Sequence, residues 1–128
     1  MRKHWLPLLI AAGIVGAAAN TPAAAEANAE HGKTLFQACA ACHSLDPKVN
    51  KLGPSLNGLI GRPSASVEGF LYSPAMRRAK IIWTAELLNG YLESPQSGVF
   101  KGNKMPFAGL PDAEDRADLI AYIQEAGK

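Results

Sequence analysis

Apolar residues recur in this chain at helical spacing in three separate stretches, with long aperiodic segments between them. From His31 to Ala41, Leu35, Phe36 and Cys39 fall at i, i+1 and i+4, which predicts a first helix with one apolar stripe. Gly32 sits three residues before Leu35. It either lets another helix cross closely or is a tolerated glycine near a helix start. Thr84 is a good N-cap, Glu86 favours a first turn and Pro95 closes the segment, so Ala85 to Ser94 reads as a helix with Leu87, Leu88, Tyr91 and Leu92 facing inward. Asp112 caps a last helix from about Ala113 to Ala126, with Leu119, Tyr122, Ile123 and Ala126 as its stripe and acidic residues in its first turn. A shorter helix fits Ser73 to Lys80.

The intervening segments are loops. Ser44 to Gly61 is rich in Gly, Pro, Asn and Lys, and Gln96 to Lys104 carries two glycines. Arg62 to Trp83 mixes Phe70, Tyr72, Met76, Ile81, Ile82 and Trp83 with polar residues at no clean period over most of its length. The pattern is all-α, with three to five short helices. Loops this long normally count against such an assignment, because a small domain gives them nothing to pack on. A large apolar group at the centre of the domain removes the objection.

The N-terminus changes the size of that domain. Arg2 and Lys3 precede a 14-residue apolar run, Leu6 to Ala19, interrupted by Pro7, Gly13 and Gly16. A membrane-spanning helix needs about 20 apolar residues, so residues 1–25 read as a cleaved signal peptide, with an uncleaved anchor as the alternative. Ala23-Ala24-Ala25 and Ala27-Asn28-Ala29 both fit the cleavage rule, placing the mature start at Glu26 or Glu30. The remaining 103 residues, 26–128, make one small domain with a thin core, in an oxidising compartment. Its charge is uneven. Residues 26–47 carry one Lys against three acids, 48–104 eight Lys or Arg against three acids, and 105–128 two against five. Such asymmetry is either an oriented field that steers a charged partner or a set of solvated faces.

Candidate chemistry concentrates at Cys39-Ala40-Ala41-Cys42-His43, a C-x-x-C-H motif of the kind that attaches a c-type haem. On a helix the two cysteines face nearly one side, where two sulfurs can reach two sites on one flat ring, and His43 can offer an imidazole nitrogen to the iron. Three other readings compete. A thioredoxin-like dithiol needs a βαβ context that the pattern lacks. A zinc site needs four ligands, and only Cys39, Cys42, His43 and His31 supply nitrogen or sulfur after residue 25. A disulfide explains the even cysteine count but not the adjacent histidine. Within Gly53-Pro54-Ser55-Leu56, Pro54 has a fixed φ and its carbonyl can accept the outer N–H of His43; on spacing alone it is an ordinary turn residue. Tyr72 and Trp83 each join an apolar body to one donor, as propionate contacts or as core aromatics. Met76 and Met105 are the thioethers beyond Met1, and Met105 lies in a Gly- and Pro-rich loop before the last helix, where a packing role alone is less natural. A catalytic triad, a phosphate-binding glycine loop and a nucleic-acid module have no candidate residues.

With these residues placed, the chain resembles the class I cytochromes c, in particular the bacterial cytochrome c2 and mitochondrial cytochrome c group, from about Gly32 to Ala126. The likeness is carried by the C-x-x-C-H motif after a helix with Gly32 and Phe36, then Gly53-Pro54-Ser55-Leu56, Gly58-Leu59-Ile60-Gly61-Arg62, Gly69-Phe70-Leu71-Tyr72, Trp83, Tyr91-Leu92-Glu93-Ser94-Pro95, Lys104-Met105-Pro106-Phe107-Ala108-Gly109-Leu110 and Arg116 to Tyr122. The resemblance implies first and last helices crossing at Gly32, Phe36 and Tyr122. It implies one haem c held through Cys39 and Cys42, with His43 and Met105 on the iron and Pro54 as the partner of His43. It places Arg62, Tyr72 and Trp83 in the haem-binding set, the last two on the propionates, and Tyr91 beside the Met105 sulfur. Departures are Met76 where mitochondrial proteins usually have Asn, Asn103 in place of a common Thr, a Pro95–Met105 loop one residue longer, and a sparser lysine ring.

With both axial positions filled, iron has no site for substrate, so the haem only gains or loses an electron. The expectation is a monomeric, soluble periplasmic electron carrier and not an enzyme. It would run between respiratory or photosynthetic complexes or dehydrogenases and a terminal acceptor, with no nucleic acid and no lasting membrane insertion. The basic middle segment, including Lys101 and Lys104, would dock acidic faces of redox partners transiently. The alternatives are a dedicated cytochrome subunit of one periplasmic oxidoreductase and, if Met105 leaves iron open, a haem enzyme.

Overall fold

A computed structural model describes residues 26–128 together with Gly13, Gly16 and Ala17; the signal peptide expected over 1–25 otherwise lies outside the described residues. The chain forms α1 (Ala29–Ala40), α2 (Pro74–Ala79), α3 (Ala85–Glu93) and α4 (Ala113–Ala126), plus a 3-10 turn at Gly98–Phe100 inside the segment expected to be pure loop. Among the described residues, strand pairing is a single isolated antiparallel bridge between Pro63 and Ile82, so the fold is all-α. No described helix is long and apolar enough to cross a membrane.

Local chemistry accounts for the boundaries. The Asn28 side chain accepts from the N–H groups of Glu30 and His31, starting α1 two residues before the expected His31. The Ser73 side chain accepts from Met76 N–H with Pro74 in the first turn, and Lys80, at φ 47°, ends α2 in the left-handed region. Thr84 and Asp112 cap α3 and α4 as their residue types predict.

The central contact is α1 against α4. A Cβ on Gly32 would sit 2.6 Å from the Asp118 carbonyl carbon and 2.9 Å from Tyr122 Cβ, so glycine here lets the two backbones meet. One turn on, the Phe36 and Tyr122 rings pack at 5.4 Å between centroids. The buried face of α4 is Arg116, Leu119, Ile120 and Ile123, with Tyr122 half-buried and Ala126 exposed, so the expected stripe was rotated slightly. Arg116 is the reason. Its Nε donates to Asn89 Oδ1 at 2.8 Å, and Nη1 donates to the Leu110 and Pro111 carbonyls at 2.7 Å each. A buried guanidinium with three partners ties α4 to α3 and to the loop before it. On α3, Leu88, Tyr91 and Leu92 are buried, while Leu87 is 37% exposed.

At the outer end of the crossing, His31 Nδ1 lies 2.8 Å from Asp118 Oδ2, whose other oxygen accepts from Asn28 N–H at 2.6 Å; Asp115 is 3.9 Å from the same imidazole. The bond to Asp118 raises the His31 pKa, helped by the charges of Asp115, Asp118 and Asp112 and opposed by desolvation. The Asn28 N–H, then His31, hold the Asp118 carboxyl below its usual range.

Two predictions follow from this crossing. Gly32→Ala should cost about 1–3 kcal/mol in chemical denaturation, because a backbone carbonyl cannot move aside as a side chain can. A His raised in the folded state stabilises fully below its ordinary pKa of about 6.5 and loses that contribution as pH rises through the raised value. The melting temperature should therefore fall across that interval in the natural chain, and His31→Gln should flatten the fall.

Candidate functional site

The loops and helices enclose a cavity of about 450 Å³. All nine residues singled out from the sequence border it: Cys39, Cys42, His43, Pro54, Arg62, Tyr72, Trp83, Tyr91 and Met105. It is lined mainly by apolar side chains, including Leu59, Leu88 and Leu119.

One wall is the C-terminal end of α1. Cys42 and His43 N–H both donate to the Cys39 carbonyl, at 3.0 and 2.9 Å, so the chain continues as a turn that keeps the three side chains on the cavity. Both thiols are free and half-buried, and burial, then the neighbouring Cys42, pushes the Cys39 thiol up. His31, the fourth ligand a zinc site would need, is engaged with Asp118. Among the described residues no three His, Cys, Asp or Glu side chains group to hold a metal ion by themselves.

His43 is buried, and its Nδ1 donates to the Pro54 carbonyl at 2.7 Å. A carbonyl only accepts, so Nδ1 carries the proton and Nε2 keeps its lone pair. Burial lowers the His43 pKa against the opposing Pro54 bond, and the positive charges of Arg62 and Lys51 lower it further, favouring the neutral imidazole that a metal requires. Gly53 makes this possible: a Cβ there would lie 2.7 Å from His43 Nδ1 and 2.8 Å from Nε2, inside the ring's contact distance. Its N–H also donates to the Cys42 carbonyl at 2.8 Å. Sequence reading took the Gly-Pro pair as a turn and missed that glycine clears space for the imidazole.

Another wall carries Met105, half-buried in the irregular loop before α4. The Tyr91 hydroxyl lies 3.1 Å from Met105 Sδ and 3.3 Å from Asn103 Oδ1. Burial raises the Tyr91 pKa to about 12, so the phenol stays protonated as a donor. Its ring is held by Trp83 and Phe100, which stack on each other at 5.4 Å and 6° and meet Tyr91 edge-on.

The remaining wall is polar at a few points. Arg62 Nη1 donates to the Asn57 carbonyl at 2.8 Å, while its Nε is buried with no partner. Burial lowers its pKa. The Tyr72 hydroxyl accepts from Val67 N–H at 3.1 Å, leaving its own proton to donate. A buried orphan donor on a cation costs free energy unless an acceptor meets it, and an anionic edge at this point would supply one. Two thiols, a neutral imidazole, a thioether, an apolar cavity and an unpartnered guanidinium N–H together fit a flat apolar macrocycle with a central metal and acidic substituents.

A small all-α domain whose loops close over such a cavity, edged by Cys-x-x-Cys-His, is a covalent haem-binding domain. Comparison with known proteins agrees: residues 29–127 match the Cytochrome c family, and the chain belongs to it. It is 44% identical to cytochrome c2 of Blastochloris viridis over 126 residues, 98% of this chain and 94% of that protein. It is 47% identical to cytochrome c type-1 of Ascaris suum over 108 residues, 84% and 96% of the two chains. It is 50% identical to the c-type cytochrome cy of Rhodobacter capsulatus over 103 residues, 80% of this chain and 51% of that one.

Gly53→Ala tests the His43 wall. The added methyl should displace the imidazole from its Pro54 bond and cost about 1–3 kcal/mol of stability, read by chemical denaturation of the natural and substituted chains side by side.

Proposed function

We propose that the chain is a periplasmic single-haem electron carrier in which His43 and Met105 together complete the iron's coordination. Membership of the cytochrome c family makes it a carrier of electrons and not an enzyme, and the observation that carries the finer reading is the convergence of His43 and Met105 on one cavity. Haem c, when bound, supplies a one-electron iron couple. Cys39 and Cys42 anchor it through two thioether bonds at the end of α1. His43 presents Nε2, its tautomer set by Pro54. Met105 presents sulfur from the loop before α4, and thioether ligation in an apolar surround favours the reduced state. Arg62 Nε and the Tyr72 hydroxyl proton would be donors for the propionates, with Trp83, which lines the same cavity, as a further contact.

A carrier must bind partners briefly. Residues 48–104 hold the chain's basic excess, and Lys101 and Lys104 are exposed next to the methionine loop. Lys104 is partly committed: its Nζ donates to the Leu71 carbonyl and lies 5.3 Å from the Phe70 ring centroid. A monomer docking acidic faces through this basic side fits the charge pattern. Export rests on the charged, then apolar, N-terminal 25 residues, and alignment with the Blastochloris viridis cytochrome covers 126 of the 128 residues, so that relative has a counterpart of this segment.

The test is the absorption spectrum of the purified exported protein, oxidised and reduced. The weak red band of methionine on ferric iron should be present in the natural chain and lost in Met105→Ala. Intact mass should show one haem attached and a start at Glu26 or Glu30. A missing band in the natural chain refutes Met105 as ligand.

A further inference from the structure

Asn103 is two residues before Met105 and is buried, and the carboxamide makes four contacts. Nδ2 donates to the Pro95 carbonyl at 2.5 Å and to the Phe100 carbonyl at 3.0 Å. Oδ1 accepts from Met105 N–H at 2.9 Å and faces the Tyr91 hydroxyl at 3.3 Å. The orientation of the amide is not free. Exchanging its oxygen and nitrogen would set an oxygen against two carbonyls and an NH2 against an N–H. Oδ1 therefore faces the tyrosine by necessity.

Tyr91 has one hydroxyl proton and two acceptors within reach, Asn103 Oδ1 and Met105 Sδ at 3.1 Å. The amide oxygen is the stronger acceptor by type, but at 3.3 Å it is the more distant and the sulfur at 3.1 Å the nearer, so the two compete for the one proton and Asn103 takes a share of it from the sulfur. Asn103 also closes the loop around itself. Gln96 Nε2 donates to the Asn103 carbonyl at 2.9 Å, and Gln96 Oε1 accepts from Gly102 N–H at 3.0 Å. The segment from Pro95 to Met105 is thus clamped at its start, middle and end by one side chain.

We propose that Asn103 is a positioning residue for the redox centre: it draws the Tyr91 proton away from the Met105 sulfur and pins the loop that carries that sulfur. The proposal rests on Met105 being the iron ligand. A hydrogen bond to a ligand sulfur withdraws electron density from it, and a poorer donor favours the reduced metal. Asn103 thereby holds the midpoint potential below the value Tyr91 alone would set.

The experiment is a cycle of Asn103→Ala, Tyr91→Phe and the double variant, each haem-loaded, read by midpoint potential and by the red band. Asn103→Ala should raise the potential in the natural background and leave it unchanged in the Tyr91→Phe background, because no proton remains to redirect. Loss of the clamp should also let added imidazole displace Met105 about tenfold more readily in both backgrounds, one lost buried hydrogen bond's worth. A fall in potential, or an equal shift in both backgrounds, overturns the proposal and leaves Asn103 a purely structural residue. If Asn103→Ala does not retain haem, Asn103→Thr is measured in the same two backgrounds and must show the same background dependence. Absence of the red band in the natural chain refutes the ligand assignment instead, so the two failures are distinct.

Discussion

The fold depends on an apolar contact that the polypeptide does not make with itself. Among the described residues, the four short helices pack on one another chiefly where α1 meets α4 and α3 meets α4. Much of the rest is loop around a cavity of about 450 Å³, and side chains such as Leu59, Leu88 and Leu119 turn toward that space. Burying apolar surface contributes roughly 25 cal/mol per Å², so a covalently held ring filling the cavity provides stabilisation that about 100 residues cannot easily generate alone. Thioether bonds suit this need: the group that completes the core cannot dissociate. The same burial removes water from the metal's surroundings, so structural and electronic requirements are met by one contact.

The crossing of α1 and α4 places that contact. Gly32 brings the helices together, and Phe36, one turn later, packs on Tyr122. One turn beyond Phe36 is the Cys39 carbonyl, from which the Cys42 and His43 amides hang. Errors in the crossing would therefore be transmitted along a rigid helix to the attachment site. Arg116 performs a comparable task from the other side, since the carbonyls it binds, Leu110 and Pro111, belong to the loop that begins at Met105. His43 and Met105 are thus both tied to α4, one through α1 and the other through the loop that Arg116 holds.

Most of the helix pattern and the chemical identity of the site were legible in the sequence, for a physical reason. Caps such as Thr84 and Asp112, and the spacing of Cys39, Cys42 and His43, are local, and local chemistry is written in adjacent residues. Contacts set by tertiary neighbours were legible only in part. The resemblance implied the helix crossing at Gly32, which the structure shows, but nothing in the sequence says that Gly53 clears space for an imidazole. Asn28 was passed over as a cap because it falls among residues resembling a cleavage site. Arg116 and Ile120 were missed as buried because periodicity cannot recognise a guanidinium satisfied by carbonyls from a distant turn. The family resemblance named the residues around the cavity, and the Pro54 carbonyl was expected to meet the outer N–H of His43, as it does; the orphaned Arg62 Nε is visible only in three dimensions.

The two candidate iron ligands, His43 and Met105, are restrained in different ways. On the His43 side the restraint is backbone: the Pro54 carbonyl, the Gly53 N–H on Cys42, and an absent Cβ. Apart from a Cβ added at Gly53, a substituted side chain leaves these backbone contacts in place. On the Met105 side the restraint is side chain, through Tyr91, Asn103 and Gln96. A soft thioether would bind iron less strongly than an imidazole, so under the proposed ligation the weaker bond would be the one whose surroundings decide its strength. The tunable half of the centre is thus the half supported by exchangeable residues, and differences in potential between chains of this fold should concentrate in the loop from Pro95 to Met105 rather than around His43.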